Sequence, residues 1–551
     1  MALSIYLKAI NLIYNQIFKM EYSRESLDRQ EKIQNLKDAG VICYANNYRG
    51  KQDIRDIVAT NESEYKDVES LMENGSKKSF KTAGRLMSSR GMWKLVFAKL
   101  RDHSGDIQIC FMKDKVVFNT WKEVVNSIVI DNEEKTAYKI AEKFCQVWDY
   151  IGVEWELFLT KHWELTIFVN EFQILSKAIR PLPEKFHGLT DKESIYRQRY
   201  LDLIMDDNSY NRFFLRSKFV KTLRNFYDKN TFVEIETPVL WNAASWAAAA
   251  PFITHHNDFD EDYFLRISPE TALKKATVGR FERVVEFTRN FRNEWSDPSH
   301  IQEFSAIEHY ATWWNYEDNM KFTEEMFDFV FKNIPELSKE VDVKDKQGIT
   351  KRVSFQTPWQ RIDYIEGIKE VSGVDVSKYV IWDEAKLLSD IKSAWIQFEW
   401  MDKMVVPTLI DYLFKKVLRP SIVGPAFVYN YPKTMQPLAR QNDENPSIVE
   451  QFQVVVNGWE IIKAYSELVD PAIQKANFDA QAKAKEMWDE EATSGDDDFV
   501  LAMEYGMPCQ SGWWMWIERV FSLLTEQENL RDVVLFPTMK SEKQGEAKKE
   551  D

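Results

Sequence analysis

Between residues 80 and 115 apolar and polar positions alternate along FKTAGRLMSSRGMWKLVFAKLRDHSGDIQICFMKDK. That is the period of strands with one buried face, and turn signals near Ser89-Arg90-Gly91 and His103-Ser104-Gly105 divide it into a β-meander. A second strand-rich stretch, YIGVEWELFLTKHWELTIFVNEFQIL, completes with it a small all-β domain of the oligonucleotide-binding barrel kind, expected over residues 61–179. Residues 1–60 read as an N-terminal extension and helical region, with the charged helical run EYSRESLDRQEKIQNLKDAG directly after Met20. Beyond the proline-marked linker RPLPEKFHGL (residues 180–189), the pattern changes to long amphipathic helices mixed with short strands, which predicts an α+β domain over residues 190–540. The Lys/Glu-rich end, residues 541–551, reads as a disordered tail, and there is no internal repeat.

Composition narrows the choices. With 551 residues, 44% hydrophobic and 29% charged, the chain is long enough for two or more domains, each with its own core. A net charge of -15, from 72 Lys+Arg against 87 Asp+Glu, excludes a protein that coats nucleic acid by bulk attraction. The charge is uneven, however: ten Lys/Arg stand against four acids between residues 73 and 115. That local excess suits an RNA-contacting face or, equally on composition, a solvated lysine-rich surface. Cys43, Cys110, Cys145 and Cys509 form no C-x-x-C pair, so neither a disulfide framework nor a zinc site is expected, and a reducing cytoplasm fits. Asn11, Asn15 and Gln16 interrupt the apolar start of the chain, so no membrane anchor is expected, and translation from Met20 is an alternative beginning.

A series of segments is more specific: KFHGLTDKESIYRQRYLDLIMDD, FVEIETPVL, APFITHHNDFD, YFLRISPE, FTRNFRNEW, AYSELVDP, MEYGMP and RDVVLFPTMK. In this order they resemble the lysyl-tRNA synthetases of class II from about residue 20 to 540. The resemblance implies an N-terminal anticodon-binding barrel and a catalytic antiparallel sheet flanked by helices. It also implies ATP, lysine and tRNA(Lys) as substrates, with Mg2+ as cofactor. Amino-acid activation requires the α-phosphate of ATP to be presented to a carboxylate while phosphate charge is neutralised. In FRNEWSDPSHIQEF, Arg292 suits a bidentate grip on α-phosphate and carboxylate. The resemblance assigns Glu294 to the adenine amino group, His300 to the distal phosphates, Phe304 to one face of adenine and Arg519, in WIERV, to the other.

Selecting lysine requires buried carboxylates facing ammonium groups, since an unpaired buried charge costs ~3–5 kcal/mol. By resemblance Glu270, Glu308, Tyr310, Tyr465 and Glu467 surround the two amino groups, and Glu460 is a magnesium ligand. Arg90, Phe97 and Gln108 match positions that read a U-rich anticodon, with a core role as the competing reading for Phe97. The segment Phe232 to Pro238 resembles the first class II motif, which implies a homodimer.

Departures from the family fall inside the site. Gln453 stands for a second metal-binding glutamate, Lys463 for an asparagine near the substrate carboxylate, Ala250 for an arginine or lysine, and Ile301 for an asparagine. Trp514 and Trp516 occupy glycine positions of a G-x-G-x-G-x-[DE]-R motif, where bare backbone must approach ATP, so two indoles are expected to fill the nucleotide pocket. Trp93, Trp148, Trp155, Trp163, Trp246, Trp295 and Trp488 also stand where the resemblance predicts glycine, and Trp246 would block the loop that meets the substrate amino group. Trp359, in TPWQRI, looks genuine. Glycine numbers 18 and tryptophan 19, together 37, close to the ~7% of glycine in an average chain. One cause covers these exchanges: a coding sequence that uses UGA for glycine, translated under a table in which UGA means tryptophan. It does not explain Gln453, Lys463 or Ala250.

Three functional readings follow. The first is an active lysine-tRNA ligase with glycine at the anomalous sites. The second is a catalytically inactive, synthetase-like tRNA-binding protein with a tryptophan-blocked ATP pocket. The third, a lysine ligase acting on a protein, gives the barrel no task.

Overall fold

The alternation over residues 79–112 resolves into three antiparallel strands, β1 (Ser79–Met92), β2 (Leu95–Arg101) and β3 (Asp106–Met112). The structure, a computed structural model, describes residues 22–64, 78–160, 162–182, 191–242, 249–345, 347–379, 384–399, 401–486 and 496–541. Its chain divides into two compact units, Met1–His187 and Gly188–Asp551. In the first unit β1 pairs along its other edge with β4 (Tyr150–Leu159), and β4 pairs with β5 (Leu165–Ser176). Strand β5 returns to β3 in parallel, from Gln108 opposite Thr166 to Phe111 opposite Val169, which closes the barrel and removes the free edges.

Along β2 the period of two is plain. Val96, Ala98 and Leu100 are buried, while Phe97 and Lys99 face outward. Gly84 lies where β1 approaches β2 so closely that a Cβ would stand 2.3 Å from the Arg101 carbonyl oxygen, which only glycine allows. Helix α1 (Arg24–Asp38) starts at Ser23, whose hydroxyl accepts from the Ser26 amide. It buries Ile33 and Leu36 in the same apolar cluster as the barrel, together with Val41, Cys43, Ile54 and Ile57. The segment ahead of residue 61 therefore contributes to the barrel's core.

The second unit is built on an eight-stranded sheet. Its strands are β6 (Val233–Glu234), β7 (Arg283–Phe291), β8 (Glu303–Thr312), β9 (Gln360–Asp363), β10 (Ala426–Pro432), β11 (Ile448–Val456), β12 (Trp459–Ser466) and β13 (Gln510–Trp516). They lie in the order β6-β7-β8-β13-β12-β11-β10-β9. The pairing is antiparallel except at the edges, where β6 with β7 and β9 with β10 run parallel. Helix α2 (Asp207–Lys229) packs on α4 (Tyr316–Asn333), and α4 packs on β11, β12 and β13. A reciprocal capping box between Asn315 and Asp318 starts α4, whose Met320, Phe322, Met326, Phe327 and Val330 join Phe219, Leu223 and Phe226 of α2 in one core. Helix α3 (Glu270–Val278) contacts β7 and β8, and α5 (Ile517–Leu524), buried on all sides, follows β13 directly. No helix among the described residues is long and apolar enough to cross a membrane.

Two sets of tryptophans stand apart. Trp359 and Trp513 are core residues, 5% and 1% exposed, and the Trp513 indole donates to Thr323. Trp93, Trp121, Trp148, Trp163, Trp313 and Trp395 have φ of 54°, 80°, 85°, 63°, 67° and 60°. In that left-handed region the Cβ crowds the following carbonyl at a cost of about 1–2 kcal/mol per residue, and a bulky side chain is an outlier. Besides Trp, the described non-glycine residues with positive φ are three Asp, three Asn, one Thr, one Arg and one Glu. Asn and Asp are the residues that tolerate this region; tryptophan has no such property.

Candidate active site

The sheet's period sets which side chains share a face. On β13 Gly512, Trp514 and Trp516 pair with Tyr310, Glu308 and Ala306 of β8, and all three line one pocket of about 540 Å³. At one end of it lie Glu270 of α3, Glu308 and Tyr310 of β8, and Tyr465 of β12. The Tyr310 hydroxyl donates to Glu308 at 2.8 Å, as does Ser268 at 3.0 Å, and the Tyr465 hydroxyl donates to Glu270 at 2.5 Å. Lys274, 1% exposed on its side chain, sits 2.5 Å from Glu270 and 2.5 Å from Glu467. Burial opposes its charge, but the two carboxylates outweigh burial and raise its pKa above the ordinary lysine value.

Glu270, Glu308 and Glu467 meet around Lys274, and their ionised forms suit the ammonium groups of free lysine. Burial, reinforced at Glu308 by Glu270, opposes ionisation and pushes Glu308 up to about 8. Burial likewise pushes Glu467 up to about 8, against the pull of Lys274. A ligand that brings ammonium groups to these carboxylates favours their ionised form, so its binding releases protons. Lysine affinity, measured by calorimetry, is expected to strengthen as pH rises from 6 to 8 and to level off above. A flat profile would show that the carboxylates are already ionised in the free protein.

Lys274 and Gly512 are functional residues that reading the chain missed. Lys274 was accessible to it, being four residues after Glu270 on one helix face. Gly512 was not, because its role depends on neighbours: a Cβ there would lie 2.4 Å from Glu467 and 2.5 Å from Tyr310. Gly512→Ala is expected to displace both and weaken lysine binding by roughly 10-fold or more, the size of one charge-assisted hydrogen bond. Unchanged lysine affinity in that variant would refute the close fit.

At the other end, Arg292 follows β7 with its Nε lacking a hydrogen-bond partner. Its guanidinium lies 5.3 Å from the Phe304 ring and 5.3 Å from that of Trp516. Glu294 is exposed on the adjoining loop. His300 is held by Asp297 at 2.7 Å; burial, then Arg519, lowers its pKa below the usual histidine value despite that carboxylate. Arg519 donates to the backbone carbonyls of Ser299 and Glu460. The Phe304 ring is fully buried, because the Trp516 indole lies on it at 3.9 Å between centroids. The Arg519 guanidinium lies 4.2 Å from that same indole. Trp516 thus occupies the contacts with Phe304 and Arg519 that adenine was expected to make. Trp514 packs beside it at 4.8 Å.

Glu460 lines the same pocket with Gln453 and Lys463. With Asp411 also in the lining, an amide and an ammonium still stand beside Glu460, and an ammonium opposes a divalent cation, which takes several oxygen ligands. Among the described residues, the one cluster of three metal-capable groups is Asp53, Asp102 and His103 in the first unit, where Lys51 already pairs with both aspartates.

In the barrel, Arg90 stands directly opposite Phe97 on β1 and β2, and Gln108 stands opposite Lys99 on β3. Phe97 is half-buried on the outer face rather than in the core, and Gln108 accepts from the Thr166 hydroxyl. Of the other flagged positions, Trp295 is 96% exposed and the Ala250 carbonyl accepts from the Asn293 amide. Ile301 packs on Phe304 and its neighbours, and Trp155 lies in β4 at a shift of register with β5. Trp246 and Trp488 lie outside the described residues.

Comparison with known proteins places this geometry. Residues 191–540 match the family "tRNA synthetases class II (D, K and N)". The chain is similar to the lysine-tRNA ligase of Lactococcus lactis subsp. cremoris, with 39% identity over 513 residues, 93% of this chain and 97% of the relative. It is 38% identical to that of Magnetococcus marinus over 530 residues, 96% and 99% of the two chains. To that of Aquifex aeolicus it is 39% identical over 464 residues, 84% of this chain and 73% of the relative. With near-complete coverage at this identity, and with buried glutamates gathered in the matched domain, the chain belongs to the class II tRNA synthetases, among the lysine-tRNA ligases.

Proposed function

We propose that the protein activates lysine with ATP to lysyl-adenylate and transfers it to the 3′ end of tRNA(Lys). The observation that carries this reading is the cluster of buried carboxylates, Glu270, Glu308 and Glu467, around Lys274. In activation a lysine carboxylate oxygen attacks the α-phosphorus and pyrophosphate leaves; in transfer a ribose hydroxyl attacks the carbonyl and AMP leaves. No enzyme nucleophile is needed. Arg292, with an unpartnered Nε in the pocket, neutralises charge where the carboxylate and α-phosphate meet. Glu270, Glu308 and Glu467 hold the two ammonium groups, with Tyr310 and Tyr465 orienting the carboxylates. Magnesium, expected of the family, would have Glu460 as its ligand beside Gln453 and Lys463, with Asp411 in the same lining.

The outer face bearing Arg90, Phe97 and Gln108 is the proposed anticodon reader in a cytoplasmic enzyme, a location to which four free cysteines are suited. A homodimer is proposed through the β6 region, supported by the exposed apolar side chains of Val233, Val239 and Leu240, and sedimentation tests it. The activity is tested by lysine-dependent ATP–pyrophosphate exchange together with charging of tRNA(Lys) and of an anticodon variant. Exchange with lysine and loss of charging on the anticodon variant are the expected results; activation of another amino acid in preference to lysine sinks the proposal.

Trp516 favours the second reading, an inactive tRNA-binding protein, if the indole is present in the cell. The six tryptophans with positive φ favour glycine instead, and they add Trp121, Trp313 and Trp395 to the positions flagged by resemblance. We therefore take the cellular protein to carry glycine at these sites and at 514 and 516. The mass of the Tyr505–Arg519 peptide from the native host separates the two readings: glycine supports the ligase, and tryptophan supports the inactive protein.

A further inference from the structure

Strands β11 and β12 set an amide and an ammonium side by side in the wall of the ATP pocket. Gln453 pairs directly across the strands with Lys463, and opposed residues on antiparallel strands project to the same face. Both line the cavity with Glu460. Gln453 is 8% exposed and its Oε1 has no hydrogen-bond partner. Lys463 is half-buried, and no hydrogen bond or ion pair ties its ammonium to a described residue. The carboxylates of Glu460, Glu270 and Asp411 act on it only through space. An ammonium withdrawn from water without a partner is costly, so such a group marks the place of an anion that arrives later.

We infer that Lys463 binds the phosphates of ATP and takes the place of one divalent cation at this wall. The inference rests on the reading of this pocket as an ATP site. Compared with the glutamate and asparagine expected at 453 and 463, glutamine removes one negative charge and lysine adds one positive charge. The change is two units, the charge of one divalent ion. Arg292 and Arg519 line the same cavity, so the ammonium extends a cationic wall along which a polyanion can lie. The amide of Gln453 offers a neutral partner that neither repels phosphate nor recruits a metal.

The test counts Mn2+ bound per protomer by electron paramagnetic resonance in saturating ATP, on full-length protein from the native host. The unaltered chain is compared with the double variant Gln453→Glu/Lys463→Asn, which is expected to bind one Mn2+ more. Equal counts overturn the inference. Calorimetry of ATP binding in EDTA adds an independent measure: Lys463→Met is expected to lose roughly 10- to 100-fold in affinity, the size of a charge-assisted hydrogen bond, and Lys463→Arg to retain it. Unchanged affinity in Lys463→Met overturns the inference as well. The midpoint of thermal unfolding without ligands shows that each variant is folded. A protein that binds lysine but no ATP under any metal condition overturns the ATP-site reading, and the inference with it, whereas equal Mn2+ counts with ATP bound overturn the inference alone.

Discussion

Replacing Trp516 with glycine in the chain as printed is expected to turn ATP binding on. The indole lies on Phe304 at 3.9 Å and under the Arg519 guanidinium at 4.2 Å, so both stacking partners are already engaged. A base stacked on an aromatic ring gains ~1–3 kcal/mol, and none of this is available while the indole remains. Trp514→Gly/Trp516→Gly should therefore bring the KM for ATP into the ~1 μM–1 mM range usual for enzymes, from no measurable binding in the unaltered chain. Lysine-dependent pyrophosphate exchange reads the result. If the chain carrying both tryptophans exchanges as fast as the variant, the indole moves aside and does not block the site.

Lys274→Met is expected to produce the second largest effect, on stability as well as binding. It removes the cation that sits 2.5 Å from each of Glu270 and Glu467, and leaves those two buried carboxylates without their ion-pair partner. Breaking a buried pair in this way costs ~3–5 kcal/mol. Protonation relieves the cost, so the sign with pH is defined. The carboxylates titrate near 4 when unfolded, while in the folded protein Glu308 and Glu467 are pushed up to about 8. The folded state then binds more protons across that window, and stability falls as pH rises through it. Urea midpoints should show a small loss at pH 5 and the full loss above pH 8. An equal loss at both ends would mean that lost packing, rather than unpaired charge, is the cause.

Much of the fold was legible because it is periodic. Phe97 illustrates this: its neighbours Val96, Ala98 and Leu100 form the buried row of β2, and alternation alone puts Phe97 on the other face. The oddness of Trp514 and Trp516 was visible as a break in a glycine pattern. The strain at Trp121, Trp313 and Trp395 was not, since a φ angle follows from the turn the chain must make and not from the residue named there. The fate of Phe304 was equally hidden: an aromatic offered to adenine is, in the folded chain, covered by Trp516.

By itself the amino-acid sequence determined the element types, the face on which each strand residue lies, and the inventory of charges available to the site. Those depend on local stereochemistry and on the burial of apolar rows, both of which act over a few residues. Tertiary structure alone decided which inventories meet. Sheet order brings β13 between β8 and β12, so that Gly512 lies against Tyr310 and Glu467, and Trp516 against Phe304. It also sets Gln453 against Lys463 and brings Glu467, far away in the chain, onto Lys274. Charge pairing and steric fit act over a few ångströms in space, and distance along a chain does not fix distance in space until the sheet has formed.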